Sequence, residues 1–359
     1  MHFGEPLDDE RLLRLIAPDE QIATVITADV YGVGEADRML ARAIAGRPRE
    51  RVCVVGAVGH DFYTGERQGA KGFPRFTDPR LRAPAGYADY LTTATERSLA
   101  RCGIDSFDLL LLHNPDRTGY TSEAVWNGMS ALRDRGLTRM IGIAPGPANG
   151  FTLDLIDCLE RFGELIDWAM IILGPLEPWP GELCLSAAQA AGVQVITRVV
   201  DYGGLCFEDL LPGQELAARD HRGFRPAGWI EAGRERLDSI RPIAQRTGLS
   251  MIQLACQWNL AHEAVSCVAP TLIQEVGPNA RPVEAKRAEL AALPVQSRLT
   301  DADVEEIRAL GDNTGAMTLK GASPEHTGED QPDRWVLDER LARLARRWSI
   351  EPARDLTAA

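Results

Sequence analysis

SFDLLLLHNPDRTGYTSEAVWNGMSALRDRGLTRMIGIAP, running from Ser106 to Pro145, is the stretch from which the fold follows. Phe107–His113 is an almost unbroken aliphatic run, as a strand covered on both faces requires. Ser122–Arg135 then carries its apolar residues at helical spacing, and Gly136 stands where a helix end calls for a left-handed residue. Arg139–Ala144 returns as a second apolar strand. A strand, a crossover helix and a parallel strand form a right-handed unit whose helix packs on the sheet.

The same unit repeats in both directions. Strands are predicted over Ile22–Ala28, Arg51–Val58, Trp168–Leu173, Val193–Val199 and Val265–Ala269, and helices over Glu35–Ile44, Ala88–Cys102, Leu153–Phe162 and Glu182–Ala191. Gly103, Gly163 and Gly192 punctuate further helix ends in the same left-handed sense. The alternation predicts a single (β/α)8 TIM barrel over residues 1–315. Its first strand is expected to be shortened or missing, because only Met1–Pro6 precedes the helix predicted at Asp8–Leu15. Leu337, Leu341, Leu344 and Trp348 follow a helical stripe flanked by Arg340, Arg343, Arg346 and Arg347, so residues 316–359 read as an extension packed on the barrel. Two long connections, Gly59–Tyr87 and Asp201–Gly228, leave the carboxyl ends of strands, where barrel enzymes carry their chemistry.

A formal net charge of −13 over 359 residues makes nucleic acid and anionic membranes poor partners. No run approaches the roughly 18 apolar residues of a membrane span, and the acidic start MHFGEPLDDE lacks the parts of a signal peptide. The seven cysteines have no C-x-x-C spacing and read as reduced thiols, so the chain is expected in the cytoplasm. A metal is not expected: His221 falls in a loop, His262 in the helix predicted at Ser250–Glu263, and no H-x-x-x-H occurs. Gly-x-Ser-x-Gly is absent, and Cys53, Cys158 and Cys256 fall within elements, so nucleophilic catalysis has no motif. A homo-oligomer remains open, since a neighbouring copy would account for a barrel side without its first strand.

The strand ends carry the informative residues. Thr27–Glu35 reads TADVYGVGE, and Ser98–Asp116 reads SLARCGIDSFDLLLLHNPD. With MHFG at the start, Arg139–Ile143, Gly192–Arg198 with Gly203–Leu205, and Ile243–His262, these segments resemble, in order, those of the aldo-keto reductases, from Met1 to about Gly315. The resemblance implies carbonyl reduction with NADP(H). It makes Tyr31 the proton donor, Asp29 the partner of a lysine that tunes it, and His113 the residue that orients the substrate. It also points Arg198, Gly203, Gly204, Leu205 and Arg281 at the cofactor.

Departures from that pattern cluster at one surface. Ala57 stands where the lysine should be, and the chain has only three lysines, Lys71, Lys286 and Lys320, none at a strand end. The Ser-Asn pair that holds the nicotinamide amide is Ala144–Pro145, the adjoining glutamine is Met170, and the stacking tyrosine is Leu173. The loop after the last strand lacks its glycine and basic residue, although Arg281 and Lys286 follow nearby. These losses count against NADP(H).

Without its lysine, Asp29 is expected to be uncompensated, with a raised pKa that suits an acid or base. The alternative reading of Asp29 is a cap for the helix that begins near Gly34. His60, Asp61 and Tyr63 open the first long loop and are candidates to replace the lost acid or base, or are simply a solvated loop. Arg198 either binds an anion or pairs with Asp201. Three functions follow: a divergent reductase acting on a carbonyl or sugar-like alcohol through Tyr31; a cofactor-independent lyase, dehydratase or isomerase using Asp29, Tyr31 and His113; and a non-catalytic binding subunit. The substrate is expected to be a small molecule, and Phe62, Tyr63, Phe73 and Phe76 favour one that is partly apolar or ring-bearing.

Overall fold

The computed structural model describes residues 3–68, 72–146, 151–218, 220–225, 227–314 and 337–356. Strands β1 (Thr24–Ile26), β2 (Cys53–Val58), β3 (Phe107–His113), β4 (Thr138–Ala144), β5 (Trp168–Ile172), β6 (Gln194–Arg198) and β7 (Val265–Ala269) pair in chain order, all parallel. Helix α1 (Asp9–Ile16) precedes them, and α2 (Glu35–Ile44), α3 (Tyr87–Cys102), α4 (Arg117–Thr121), α5 (Glu123–Asp134), α6 (Thr152–Phe162), α7 (Leu185–Ala190), α8 (Trp229–Thr247) and α9 (Met251–Leu260) alternate with them. After β7 come α10 (Val283–Ala291), α11 (Asp301–Leu310), α12 (Glu339–Arg347) and α13 (Pro352–Asp355).

Alternation along each strand splits the apolar residues between two cores. Val54, Val58, Leu110, Leu112, Ile141 and Ile143 face outward against helix residues such as Leu91, Trp126 and Met129. Val55, Ala57, Leu109, Leu111, Met170 and Ile196 face inward and fill the barrel, with Ala28 and Ala144 near its carboxyl-terminal rim.

All seven expected strands are present, each within a few residues of its expected ends. Among the described residues no strand lies between β7 and β1, which form the edges of the sheet. The start of the chain occupies the rim there instead: the Gly4 amide donates to Asp220 Oδ2 at 2.6 Å and the Glu5 amide to the Gln274 carbonyl at 2.7 Å.

Of the four punctuating glycines, Gly103, Gly136 and Gly192 have positive φ as expected, but Gly163 is right-handed at φ −54°. It is glycine for lack of room, since a Cβ there would lie 2.5 Å from the Leu159 carbonyl oxygen and 2.8 Å from Ala191 Cβ. The tail helix α12 buries Leu341 and Leu344 against the barrel, while Leu337 is exposed. Its basic flank stays exposed, with Arg340 paired to Asp157 and Arg347 to Glu160, both of α6. Lys71, Lys320 and the tail between 315 and 336 lie outside the described residues.

Candidate active site

Parallel pairing continues past the end of β1. The Thr27 amide donates to the Val55 carbonyl at 2.9 Å and the Asp29 amide to that of Ala57 at 3.1 Å, so Asp29 stands directly beside Ala57. Its side chain is fully buried, and among the described residues neither carboxyl oxygen has a well-formed hydrogen bond. The Val30 amide favours the ionised form, but less than Arg101 does. Burial, then the neighbouring Asp37, pushes the carboxyl well above the usual range, with Arg101 opposing. The helix-capping alternative fails, because Gly34 occupies that position without a side-chain bond.

Asp29→Asn tests this picture. A raised carboxyl pKa means the folded state holds its proton more tightly than the unfolded state does. The acid is therefore neutral at no cost below about pH 4, and folding stability falls as pH rises from there toward the raised value. The asparagine variant is expected to lack this loss, so melting temperatures compared from pH 4 to 8 should diverge in its favour. Parallel curves would mean that Asp29 is solvated or paired.

Tyr31 follows a turn closed by its amide on the Ala28 carbonyl at 3.0 Å, and it is 56% exposed. Its ring meets that of His113 edge-on at 5.5 Å. His113 ends β3, is buried, and its Nδ1 makes no hydrogen bond among the described residues. Burial, then the nearby His60, Arg198 and Arg75, drives it well below the ordinary imidazole value. His60 lies 5.2 Å from it, ring to ring, and is brought down to about 3 by burial and then by Arg75. Asn114, at φ +46°, approaches His60 Nε2 through its amide nitrogen at 3.3 Å, while His60 Nδ1 lies 3.1 Å from the Phe73 carbonyl. Those two contacts favour a proton on Nδ1, while Arg75 Nη1, 3.3 Å from the same nitrogen, favours the other tautomer. Both imidazoles are neutral at physiological pH.

The other residues expected in the first loop are structural. Asp61 is fully buried and takes bonds from the Tyr63 and Thr64 amides, the Thr64 hydroxyl and Arg82. Burial opposes its ionisation, but Arg82 and Thr64 outweigh that and hold it below the usual carboxylate range. Tyr63 accepts from Arg101 Nη2 at 3.1 Å, and burial followed by Asp29 moves it to about 12. Neither is a spare acid or base. Nothing in the local pattern marks Arg101 or Arg75, whose partners lie 15 to 64 residues away along the chain. Asn114 was in view, directly after His113.

Arg198 ends β6 and does not pair with Asp201. Its Nη2 donates to the Pro145 and Gly146 carbonyls, each at 2.9 Å, and its enclosed Nε has no partner among the described residues. Asp201 is fully buried and turns instead to the Gly204 amide at 2.8 Å and the Thr271 amide at 2.7 Å. Arg281 is committed to the Phe207 carbonyl at 3.0 Å and to Glu289 at 2.6 Å, and the fully buried Lys286 to Asp209 at 2.7 Å.

These residues do not fit NADP(H) in the manner that the resemblance implies. Pro145, Met170 and Arg198, at or beside the nicotinamide positions, line a cavity of about 20 Å³, room for one water rather than a ring. Ala144, Met170 and Leu173 are buried and offer no side-chain polar partner for a carboxamide. At the Gly203–Leu205 turn, the Gly204 and Thr271 amides already hold a carboxylate. Gly204, at φ +96°, has no space above it, since a Cβ would lie 2.9 Å from Glu275 Oε1 and 3.2 Å from Arg222 Nη1.

Comparison with known proteins places the chain. The model of the Aldo/keto reductase family matches residues 5–311. The chain is 26% identical over 283 residues to a 6-dehydroglucose reductase from Novosphingobium aromaticivorans, covering 72% of this chain and 74% of that one. A glycerol dehydrogenase from Gluconobacter oxydans superposes with a TM-score of 0.66 at 20% identity, covering 86% of each chain. An aldo/keto reductase from Klebsiella pneumoniae, solved with NADP and acetate, does so with a TM-score of 0.57 at 18% identity over 90% of this chain and 88% of that one. With its strand order, rim residues and a family match over nearly its whole length, the chain belongs to the aldo/keto reductase family.

Proposed function

We propose that this chain interconverts a carbonyl and an alcohol on a small, polar, sugar-like substrate, with Tyr31 as the proton donor to the substrate oxygen. One observation carries the reading: an exposed phenol stands against a neutral imidazole, on a rim where the described site residues supply acids and hydrogen-bond donors but no accessible base. A neutral His113 donates a hydrogen bond to a carbonyl oxygen without needing to ionise. Arg198 adds positive charge; burial lowers its pKa, and Tyr31 heads the groups that counteract this. Such a set polarises a carbonyl and protonates its oxygen as the carbon gains an electron pair.

Enolisation, elimination and isomerisation need a base, and none of the expected ones serves. Asp29 is sealed off, with burial opposing its ionisation, Asp61 is tied to Arg82, and His60 and His113 are too weakly basic. The hydride that the carbonyl carbon gains, and that the alcohol gives up in the reverse direction, would come from NADP(H), named with the Klebsiella protein and held here through contacts other than those the resemblance implies. The test is calorimetric titration with NADPH and NADP⁺, together with reduction of glyceraldehyde and a hexose dialdehyde. Tyr31-dependent consumption of NADPH supports the reading. No binding at millimolar cofactor retires nicotinamide-dependent reduction.

Ala57→Lys should raise that reduction by about tenfold or more, because a cation near a phenol favours its ionised form and Asp29 stands ready to pair with it. A folded variant with an unchanged rate would mean that position 57 is not where the cation acts.

A further inference from the structure

Arg198 differs from four other arginines that are buried or half-buried in the barrel. Arg222 pairs with Asp220 and Glu275, Arg101 with Asp37, Arg82 with Asp61, and Arg225 lies 3.6 Å from Glu177. Arg198 has no carboxylate within ion-pair distance among the described residues, and the nearest acid along the chain, Asp201, is consumed by two backbone amides. An uncompensated cation in a partly desolvated site is costly, and an incoming anion offsets that cost.

We propose that Arg198 is a substrate-binding residue that takes an anionic group, so that the preferred substrates are sugar acids or sugar phosphates rather than neutral sugars. This rests on the rim around Tyr31 being the substrate site. Two carbonyls, of Pro145 and Gly146, grip Nη2 and fix the guanidinium plane, while Nη1 has no partner among the described residues. A guanidinium held in advance loses little freedom on meeting a carboxylate or phosphate. Glu177, the carboxylate whose charge reaches Arg198, is shared with Arg225, burial opposes the ionisation of Asp29, and His60 and His113 are neutral. Arg75, whose Nη1 lies 3.3 Å from His60 Nδ1, acts together with Arg198 on the His113 imidazole. The reaction itself needs no anion, so the charge serves selection.

Calorimetric binding of D-glucuronate, D-glucose 6-phosphate and D-glucose to the full chain tests this, with Tyr31→Phe and Arg198→Met alongside. At least one anionic sugar is expected to bind about tenfold or more tightly than glucose, with the preference weakening in salt. The stronger of the two anions identifies carboxylate or phosphate. Arg198→Met should abolish the preference and Tyr31→Phe should keep it. Equal affinity for all three sugars in the unmodified chain overturns the proposal, as does a preference that survives in Arg198→Met. Should the methionine variant not fold, the unmodified chain still decides through the glucose comparison and its salt dependence. A preserved preference without any carbonyl turnover would sink the proposed reaction and leave the anion site standing. Turnover of neutral and anionic substrates at equal efficiency and affinity would do the reverse.

Discussion

Replacing Tyr31 with phenylalanine is expected to cut kcat by about two to four orders of magnitude and to leave the melting temperature unchanged. The asymmetry follows from where the hydroxyl sits. Tyr31 is more than half exposed, its hydroxyl bonds no described residue, and its one ring contact, the edge of His113, is kept by phenylalanine. Removing the oxygen therefore strands no buried donor and opens no cavity, while the only accessible proton source in the described site disappears. Steady-state rates and scanning calorimetry on the same preparations check both halves. Near-normal turnover would remove Tyr31 from the mechanism, and a large fall in melting temperature would make it structural.

The largest effect on stability is expected from Arg222→Met, at about 3–5 kcal/mol in denaturant unfolding. Arg222 is 2% exposed and donates to Glu275 at 2.6 and 2.8 Å, to Asp220 at 2.7 and 3.0 Å, and to the Gly203 carbonyl at 2.9 Å. Asp220 in turn holds the Gly4 amide. One guanidinium thus ties the start of the chain to the loops after β6 and β7, and its loss leaves two carboxylates facing each other in a buried site. Burial works against ionised Asp220, yet Arg222 overcomes this and keeps its pKa below the usual value. Its stabilisation is present above about pH 4 and fades as pH falls through the lowered pKa, so the gap between variant and parent should narrow in acid. Glu275→Gln added to Arg222→Met should recover part of the loss. A cost under about 1 kcal/mol would show that the triad is not a structural tie.

Much of this architecture was legible from local pattern. Apolar runs marked every strand, and the residues at strand ends fell where a barrel places chemistry, so Asp29, Tyr31 and His113 converge on one rim. What escaped was set by partners distant in the chain. Asp61 reads like a free acid until Arg82 closes on it, Arg198 and Asp201 read like a pair until two backbone amides claim the aspartate, and Gly163 reads like a left-handed helix end until Ala191 packs over it. Periodicity reports which face of an element is buried. It does not report which of several acids a given arginine meets across the barrel.

The open edge between β1 and β7 bears on how the chain reaches this state. In a closed barrel the last strand must find the first, the contact of longest sequence separation and the slowest to form. Here every strand pairs only with its neighbour in sequence, so the sheet can zip outward from β3 and β4 without that search. Among the described residues the two ends are joined through α1: Arg11 reaches Gln274 at 2.7 Å, and Arg287 holds the carbonyls of Leu15 and Ala17, each at 2.8 Å. Such a barrel is latched rather than welded, with side-chain bonds from a helix standing where a closed barrel has a backbone ladder.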